Sequence, residues 1–307
     1  MQEEIRQRID QVRNDREHGS RWLVREAVLI LRDLARTQVT TATTQEQMRL
    51  LLRCGKELAG VRPAMAALSN AVSRVLYTDG PAAGPQDVAR AAERLLEDLD
   101  TAPLFLAAHA LPYMRGQLMT CSISGTVLEV LTSARQHIER VIVLEGRPRY
   151  EGRETARVLS QQGIPVTLIT DAQAAIFLPQ CQGIVVGADS VLADGSVLNK
   201  AGTALLAWAG QGYHVPLYVL CETLKISARS WPHNPALAEG LLEEKEPEEV
   251  LAQPLPGVTV RNFYFDHTPA SLVSRLITEK GILQPQEVQQ IAAEAHKRAE
   301  FLATQSP

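Results

Sequence analysis

Ile184-Val-Val-Gly-Ala-Asp189-Ser-Val-Leu-Ala-Asp194-Gly195-Ser-Val-Leu-Asn199-Lys200-Ala-Gly202-Thr203 is the stretch whose reading decides the architecture. It begins as a short β-branched run, Ile184 to Val186, the pattern of a buried parallel strand. An acid, Asp189, stands just beyond that run, past Gly187 and Ala188. Ala193-Asp194-Gly195 reads as a turn, and Asn199-Lys200 opens an apolar segment with helical spacing. In open α/β sheets, ligands bind in the crevice beyond the strand carboxyl ends. An acid, an amide and an ammonium converge there.

The same alternation extends to both sides. Apolar runs at Gln117–Cys121, Arg140–Leu144, Pro165–Ile169, Gly183–Val186, Val215–Leu220 and Val258–Phe263 read as strands. Helical segments at Thr126–His137, Glu151–Gln161, Ala172–Leu178, Lys200–Ala209 and Pro269–Thr278 separate or follow them. Strands and helices at this spacing predict βαβ units and a mainly parallel, doubly wound sheet, an α/β fold. Trp231 to Pro256, with its prolines and its acidic Glu243–Glu249 run, reads as a surface excursion with a solvated face. Gln286–Ala303 is a closing amphipathic helix behind Pro285.

Before Gln117 the period is helical. Ile5, Ile9 and Val12 share a helix face, and Ser20 is read as the cap of Arg21–Ala35. Thr44–Leu58 is a helix ended by Gly60, and Met65–Leu76 is another, with Pro63 at its start. A loop, Asp79 to Pro85, precedes a helix over Asp87–Leu99.

The 307 residues allow two domains or one large one, and 45% hydrophobic content is that of a soluble globular chain. A net charge of −4 gives no general attraction to nucleic acid or to an anionic membrane. No apolar run is long enough to span a bilayer, and no hydrophobic leader follows the charged N-terminus, which predicts a cytoplasmic protein. Four scattered cysteines without a C-x-x-C pair fit reduced thiols, and seven scattered histidines offer no dedicated zinc site.

Three loops beyond strand ends can carry chemistry. Thr120-Cys121-Ser122-Ile123-Ser124-Gly125-Thr126 offers hydroxyls and free N–H groups at a helix start, suited to a phosphate or carboxylate. The same residues also describe a capped helix with a buried cysteine. Arg147, Arg149 and Arg153 form either a phosphate clamp or rim salt bridges with Glu145, Glu151 and Glu154. Asp189 suits a general acid or base, a ribose-hydroxyl ligand, or a turn cap. G-x-G-x-x-G, the P-loop and G-x-S-x-G are all absent, so neither a nucleotide cofactor nor an α/β-hydrolase is indicated.

Taken together, the motifs resemble one superfamily. They are Gly187-Ala188-Asp189…Asn199-Lys200-x-Gly202-Thr203, Thr120 to Thr126, Glu145-x-Arg147-Pro148…Gly152, Val215-Pro216-Leu217-Tyr218-Val219, Glu222-Thr223-x-Lys225 and Asn262…Asp266…Thr268-Pro269. The superfamily contains the alpha, beta and delta subunits of translation initiation factor 2B, methylthioribose-1-phosphate isomerase and ribose-1,5-bisphosphate isomerase. The resemblance runs from about Arg62 to Leu283. It implies a helical domain over 1–112, a Rossmann-like α/β domain over 113–307 and assembly into homodimers or hexamers. It also implies an aldose–ketose isomerase of a sugar 1-phosphate working without cofactor or metal. The alternative is a non-catalytic regulatory subunit that binds a phosphorylated sugar or nucleotide. Neither reading involves a membrane or direct nucleic-acid binding.

In the isomerases a loop cysteine and the aspartate of Gly-Ala-Asp form an acid–base pair. Asp189 carries over directly, Asn199 and Lys200 match the substrate-contacting pair, and Arg147 matches the strand-end arginine. Arg62 matches the phosphate-binding arginine, its Arg-Pro form being closer to the ribose-bisphosphate branch. Ser124, Gly125 and Thr126 stand at the expected phosphate-binding helix start. One departure matters. Where the isomerases read Thr-His-Cys, this chain reads Thr120-Cys121-Ser122, which puts Ser122 in the catalytic cysteine's place and Cys121 in the histidine's. A serine is a much poorer proton donor than a thiol. The partner of Asp189 is therefore Cys121 or Ser122, and the serine leans toward the initiation-factor subunits.

Overall fold

The computed structural model describes residues 2–15, 19–37, 43–62, 65–78 and 80–304. Five helices come first: α1 (Gln2–Asn14), α2 (Ser20–Arg36), α3 (Thr44–Gly60), α4 (Ala66–Leu76) and α5 (Pro85–Ala110). Leu23, Ala27, Ile30, Leu31 and Leu34 line the buried face of α2, which packs against α4 and α5. Thr43 and Glu46 close a capping box at the start of α3. Ser20 does not cap α2. It is the first helical residue, and Gly19 holds the cap position. Pro63, expected at the start of α4, and Asp79, in the loop before α5, lie outside the described residues. The last early helix runs past Leu99 and through Pro103 to Ala110, because Ala102, Leu106 and Ala110 continue its buried stripe. Packing there outweighs the proline's local cost.

The alternating part opens with β1 (Gly116–Thr120), α6 (Gly125–Ser133), β2 (Ile138–Leu144), α7 (Glu151–Gln161), β3 (Val166–Ile169), α8 (Ala174–Phe177) and β4 (Gly183–Val186). The hairpin β5 (Ser190–Val191) and β6 (Val197–Lys200) follows, then α9 (Thr203–Tyr213), β7 (Leu217–Leu220) and α10 (Pro235–Leu241). The chain closes with β8 (Phe265–Thr268), β9 (Arg275–Thr278), β10 (Gly281–Leu283) and α11 (Pro285–Thr304). Seven strands form one sheet in the order β10-β9-β7-β4-β1-β2-β3. It is parallel except for β10, which runs against β9. The chain leaves β1 toward β2 and β3, then returns to lay β4 on the other side of β1. At such a reversal the connections diverge, and a crevice opens beyond the strand ends. A smaller antiparallel sheet, β5-β6-β8, stands beside it.

Three expectations fail after residue 200. The residues 258–263 form no strand: Val258 is 53% exposed, and Lys245 N–H and Tyr264 N–H bond across to Asn262 O and Glu243 O instead. The place beside β7 goes to β9, within a segment expected to be helical, because Leu276 and Ile277 are buried in a parallel ladder there. Lys200 ends β6 rather than opening a helix, and α9 begins at Thr203.

The helices are fastened over the β4 and β7 ends. Asn70 Nδ2 donates to Leu224 O at 2.8 Å and Ile226 O at 2.7 Å, and Ala66 N–H donates to Ser190 Oγ at 3.1 Å. α11 returns to the helical side, where Leu302 joins its core. The tightest approach is at Gly152, where a Cβ would lie 1.7 Å from Leu144 O. Only glycine lets α7 start against the end of β2. Gly152→Ala is expected to destabilise the protein by on the order of 3 kcal/mol. Urea unfolding measures this, and a change below about 1 kcal/mol would refute the stated contact.

Candidate active site

A cleft of about 1180 Å³ occupies the crevice between the early helices and the strand ends. Arg62, Cys121, Ser122, Ser124, Gly125, Thr126, Asp189, Asn199 and Lys200 all line it. Gly187 makes the junction of its two central loops fit, since a Cβ there would meet Ser124 Oγ at 2.7 Å. Ser124 Oγ in turn accepts from Val127 N–H and caps α6. The first amides of α6, at Gly125 and Thr126, have no acceptor within the helix and stand at the cleft.

Asp189 follows β4, and its N–H donates to Leu198 O at 2.9 Å, tying the strand end to the hairpin. Its side chain keeps a partly open face on the cleft. Even so, desolvation pushes its carboxyl above the ordinary range, opposed by Lys225 and Lys200 and reinforced by Glu243 and Glu151. Lys225 is itself buried and donates to Ala188 O at 2.7 Å, which keeps its charge beside the acid. Burial would raise the Glu222 carboxyl, but Lys225, Arg21 and the Thr126 hydroxyl hold it below the usual range.

Cys121 and Ser122 have different surroundings. Cys121 Sγ lies 3.7 Å from Thr203 Oγ1. Thr203 donates its one hydroxyl proton to Lys200 O at 2.8 Å and accepts from Asn199 Nδ2 at 2.9 Å. The thiol is therefore the donor to Thr203, and burial pushes it up to about 12. Ser122 is held in the left-handed region, φ 61°, with its carbonyl accepting from Thr155 Oγ1 at 2.7 Å. Its hydroxyl donates to Glu151 Oε2 at 3.0 Å, and Lys200 Nζ donates to Glu151 Oε1 at 3.0 Å.

Arg147 stands apart from this group. Its guanidinium donates to Tyr150 Oη at 3.1 Å and Val250 O at 3.2 Å, so it clasps the 231–256 excursion. Arg149 lines the cleft instead. Arg153 takes the rim role, 3.2 Å from Glu145 and stacked on the Tyr150 ring at 3.8 Å. The acidic run keeps its solvated face, with Glu244, Glu246 and Glu248 exposed, and Glu243, Glu244, Glu246 and Glu249 also line the cleft. Tyr264 Oη donates to Glu249 at 2.6 Å, and its ring lies 4.4 Å under Lys200 Nζ.

The sequence offered Arg149 only as one of three clamp arginines, quoted Glu222 and Lys225 only within a motif, and gave Glu151 only as a rim acid. Lys225 carried a signal, lying three residues from Glu222 beyond β7. Glu151 carried none that separated it from rim acids. Arg62 comes from the helical side, its guanidinium donating to Asp15 O while its buried Nε has no acceptor among the described residues. Among the described residues, no three His, Cys, Asp or Glu side chains are grouped to hold a metal, and no helix is long and apolar enough to cross a membrane. Cys121 is expected to resist iodoacetamide at pH 8 for hours in the folded protein and to react at once when unfolded. Peptide mass mapping reads this, and rapid native labelling would contradict the buried, protonated thiol.

A family model described as "Initiation factor 2 subunit family" matches residues 16–285. Over 291 residues the chain is 31% identical to ribose 1,5-bisphosphate isomerase of Archaeoglobus fulgidus, covering 92% of this chain and 91% of that protein. It is 33% identical over 282 residues to methylthioribose-1-phosphate isomerase of Pelotomaculum thermopropionicum, covering 82% and 75%. The structure of translation initiation factor eIF-2B from Pyrococcus horikoshii OT3 superposes with a TM-score of 0.76 at 29% identity, covering 94% of this chain and 99% of that one. The resemblance carried by the ordered motifs is borne out, and this chain belongs to the initiation factor 2 subunit family.

Proposed function

We propose that this chain interconverts the aldose and ketose forms of a sugar 1-phosphate of the ribose-1,5-bisphosphate or methylthioribose-1-phosphate type. The observation that carries this reading is the desolvated Asp189 carboxyl, set between Lys200 and Lys225 where the strand order reverses. Relatives named for both activities support it.

The chemistry of the substrate defines what the site must do. The bond from C1 to the ring oxygen O4 breaks, and O4 gains a proton. The O2 hydroxyl loses a proton, and a hydrogen moves with its electron pair from C2 to C1. C1 is reduced and C2 oxidised by the same hydrogen, so the electron balance closes within the substrate. A carboxyl raised by desolvation retains its proton to higher pH and suits delivery to O4. Arg62, Arg149 and Lys200 supply charge for phosphate, with the first amides of α6 as further donors. Closure of the cleft around the sugar would exclude water while the hydrogen moves.

A second reading follows from Ser122 in the place of the cysteine: a non-catalytic regulatory subunit that binds a phosphorylated sugar or nucleotide. Under either reading we place the protein in the cytoplasm as a homodimer or hexamer, with domains over 1–112 and 113–307, working without cofactor.

Incubation with each sugar phosphate, with ketose formation followed, is expected to show turnover of one of them. Tight binding of both in thermal shift with turnover of neither would leave the second reading. Asp189→Asn is expected to lower kcat by at least about 100-fold. Its thermal midpoint should not fall, because ionising a carboxyl whose folded value is raised costs the folded state as pH rises. By the same sign, wild-type kcat should decline as pH rises through the raised Asp189 value, and a flat profile would remove Asp189 as the acid.

A further inference from the structure

We infer that Glu151, acting through the Ser122 hydroxyl, accepts the proton that the sugar's O2 hydroxyl loses. This rests on the isomerase reading and names the group that serves where the family's cysteine is missing.

Proton positions make the case. A serine hydroxyl has one proton, and that of Ser122 is directed to Glu151 Oε2 at 3.0 Å. Its oxygen lone pairs are then free to accept, and Ser122 lines the cleft. An O2 hydroxyl seated against Ser122 Oγ would meet an acceptor whose own proton has a place to go. As O2–H passes its proton to Ser122 Oγ, the Ser122 proton moves to Glu151 Oε2. The electron pair left on O2 becomes the C2 carbonyl as the hydrogen leaves C2 for C1. Asp189 supplies the proton that O4 takes, so one proton enters from Asp189 and one leaves to Glu151.

The surroundings hold Glu151 for this task. It is the first residue of α7, where the helix dipole favours a carboxylate. The close approach at Gly152 brings that first turn against the end of β2. Lys200 engages the other oxygen, Oε1, at 3.0 Å, leaving Oε2 to Ser122, and the two side chains are only 14% and 21% exposed. The left-handed backbone of Ser122, pinned by Thr155, fixes the hydroxyl direction. Cys121 is a poor substitute, because its S–H is turned to Thr203 and its thiol is pushed up to about 12.

The test uses whichever sugar phosphate the full-length wild type converts. Glu151→Gln and Ser122→Ala are each expected to lower kcat by at least about 100-fold with KM within about threefold. The double variant should be no slower than the slower single, since both remove one relay. Glu151→Ala should recover part of its rate on addition of formate, a free carboxylate. A merely structural ion pair with Lys200 would give losses that multiply in the double variant and no response to formate, and either result overturns the inference. So does a kcat for Glu151→Gln within about threefold of wild type. Should the Glu151 variants fail to fold, Ser122→Ala still decides, because it removes no charge: full kcat there overturns the relay. Wild type inactive on every sugar phosphate would instead defeat the isomerase reading, and this inference with it.

Discussion

The cleft depends on the parallel pairing of β4 with β1, Leu118 to Gly183 and Met119 to Ile184. That ladder sets the loop carrying Ser122 beside the loop carrying Asp189, although 67 positions of chain numbering separate them. Side chains from the two loops share one space only because β2 and β3 lie wholly to one side. The contact of Gly187 with Ser124 then fixes how near the loops come. A larger residue at Gly187 would drive apart the two halves of the site.

Charge in the cleft is balanced by pairing. Lys200 meets Glu151, Lys225 lies near Glu222 at 3.9 Å, and Arg21 reaches both Glu129 and Glu222. Arg21 belongs to α2, so part of this balance crosses from the early helices to the sheet. Most of these contacts are partly exposed and add little to stability individually. Their effect is orientation: they hold lysines and arginines in place around the cleft.

The 231–256 excursion lies at the surface, as its prolines and charges predict, and it also walls the cleft. Six of the seven residues from Glu243 to Glu249 are charged, which in isolation marks a solvated loop. Here Arg147 holds the carbonyls of Glu249 and Val250 while Tyr264 holds the Glu249 carboxylate, and the run becomes a wall of the cleft. Arg147 thereby supports the cleft wall without lining it. Arg149, two residues on, is exposed and lines the cleft.

The sequence by itself determined the helical first part, the strand–helix alternation and the buried run before Asp189, because periodicity and punctuation are local properties. It also determined the family, through several motifs read in order along the chain. Strand β9 escaped it, since an apolar run of that length suits either helix or strand until a neighbour such as β7 offers a ladder. Only the tertiary structure decided that Cys121 turns toward Thr203 while Ser122 faces Glu151, and that Arg147 lies outside the cleft. Those outcomes depend on side-chain direction and on partners far away in the chain, and adjacent residues with similar local propensity can point to opposite sides of a loop.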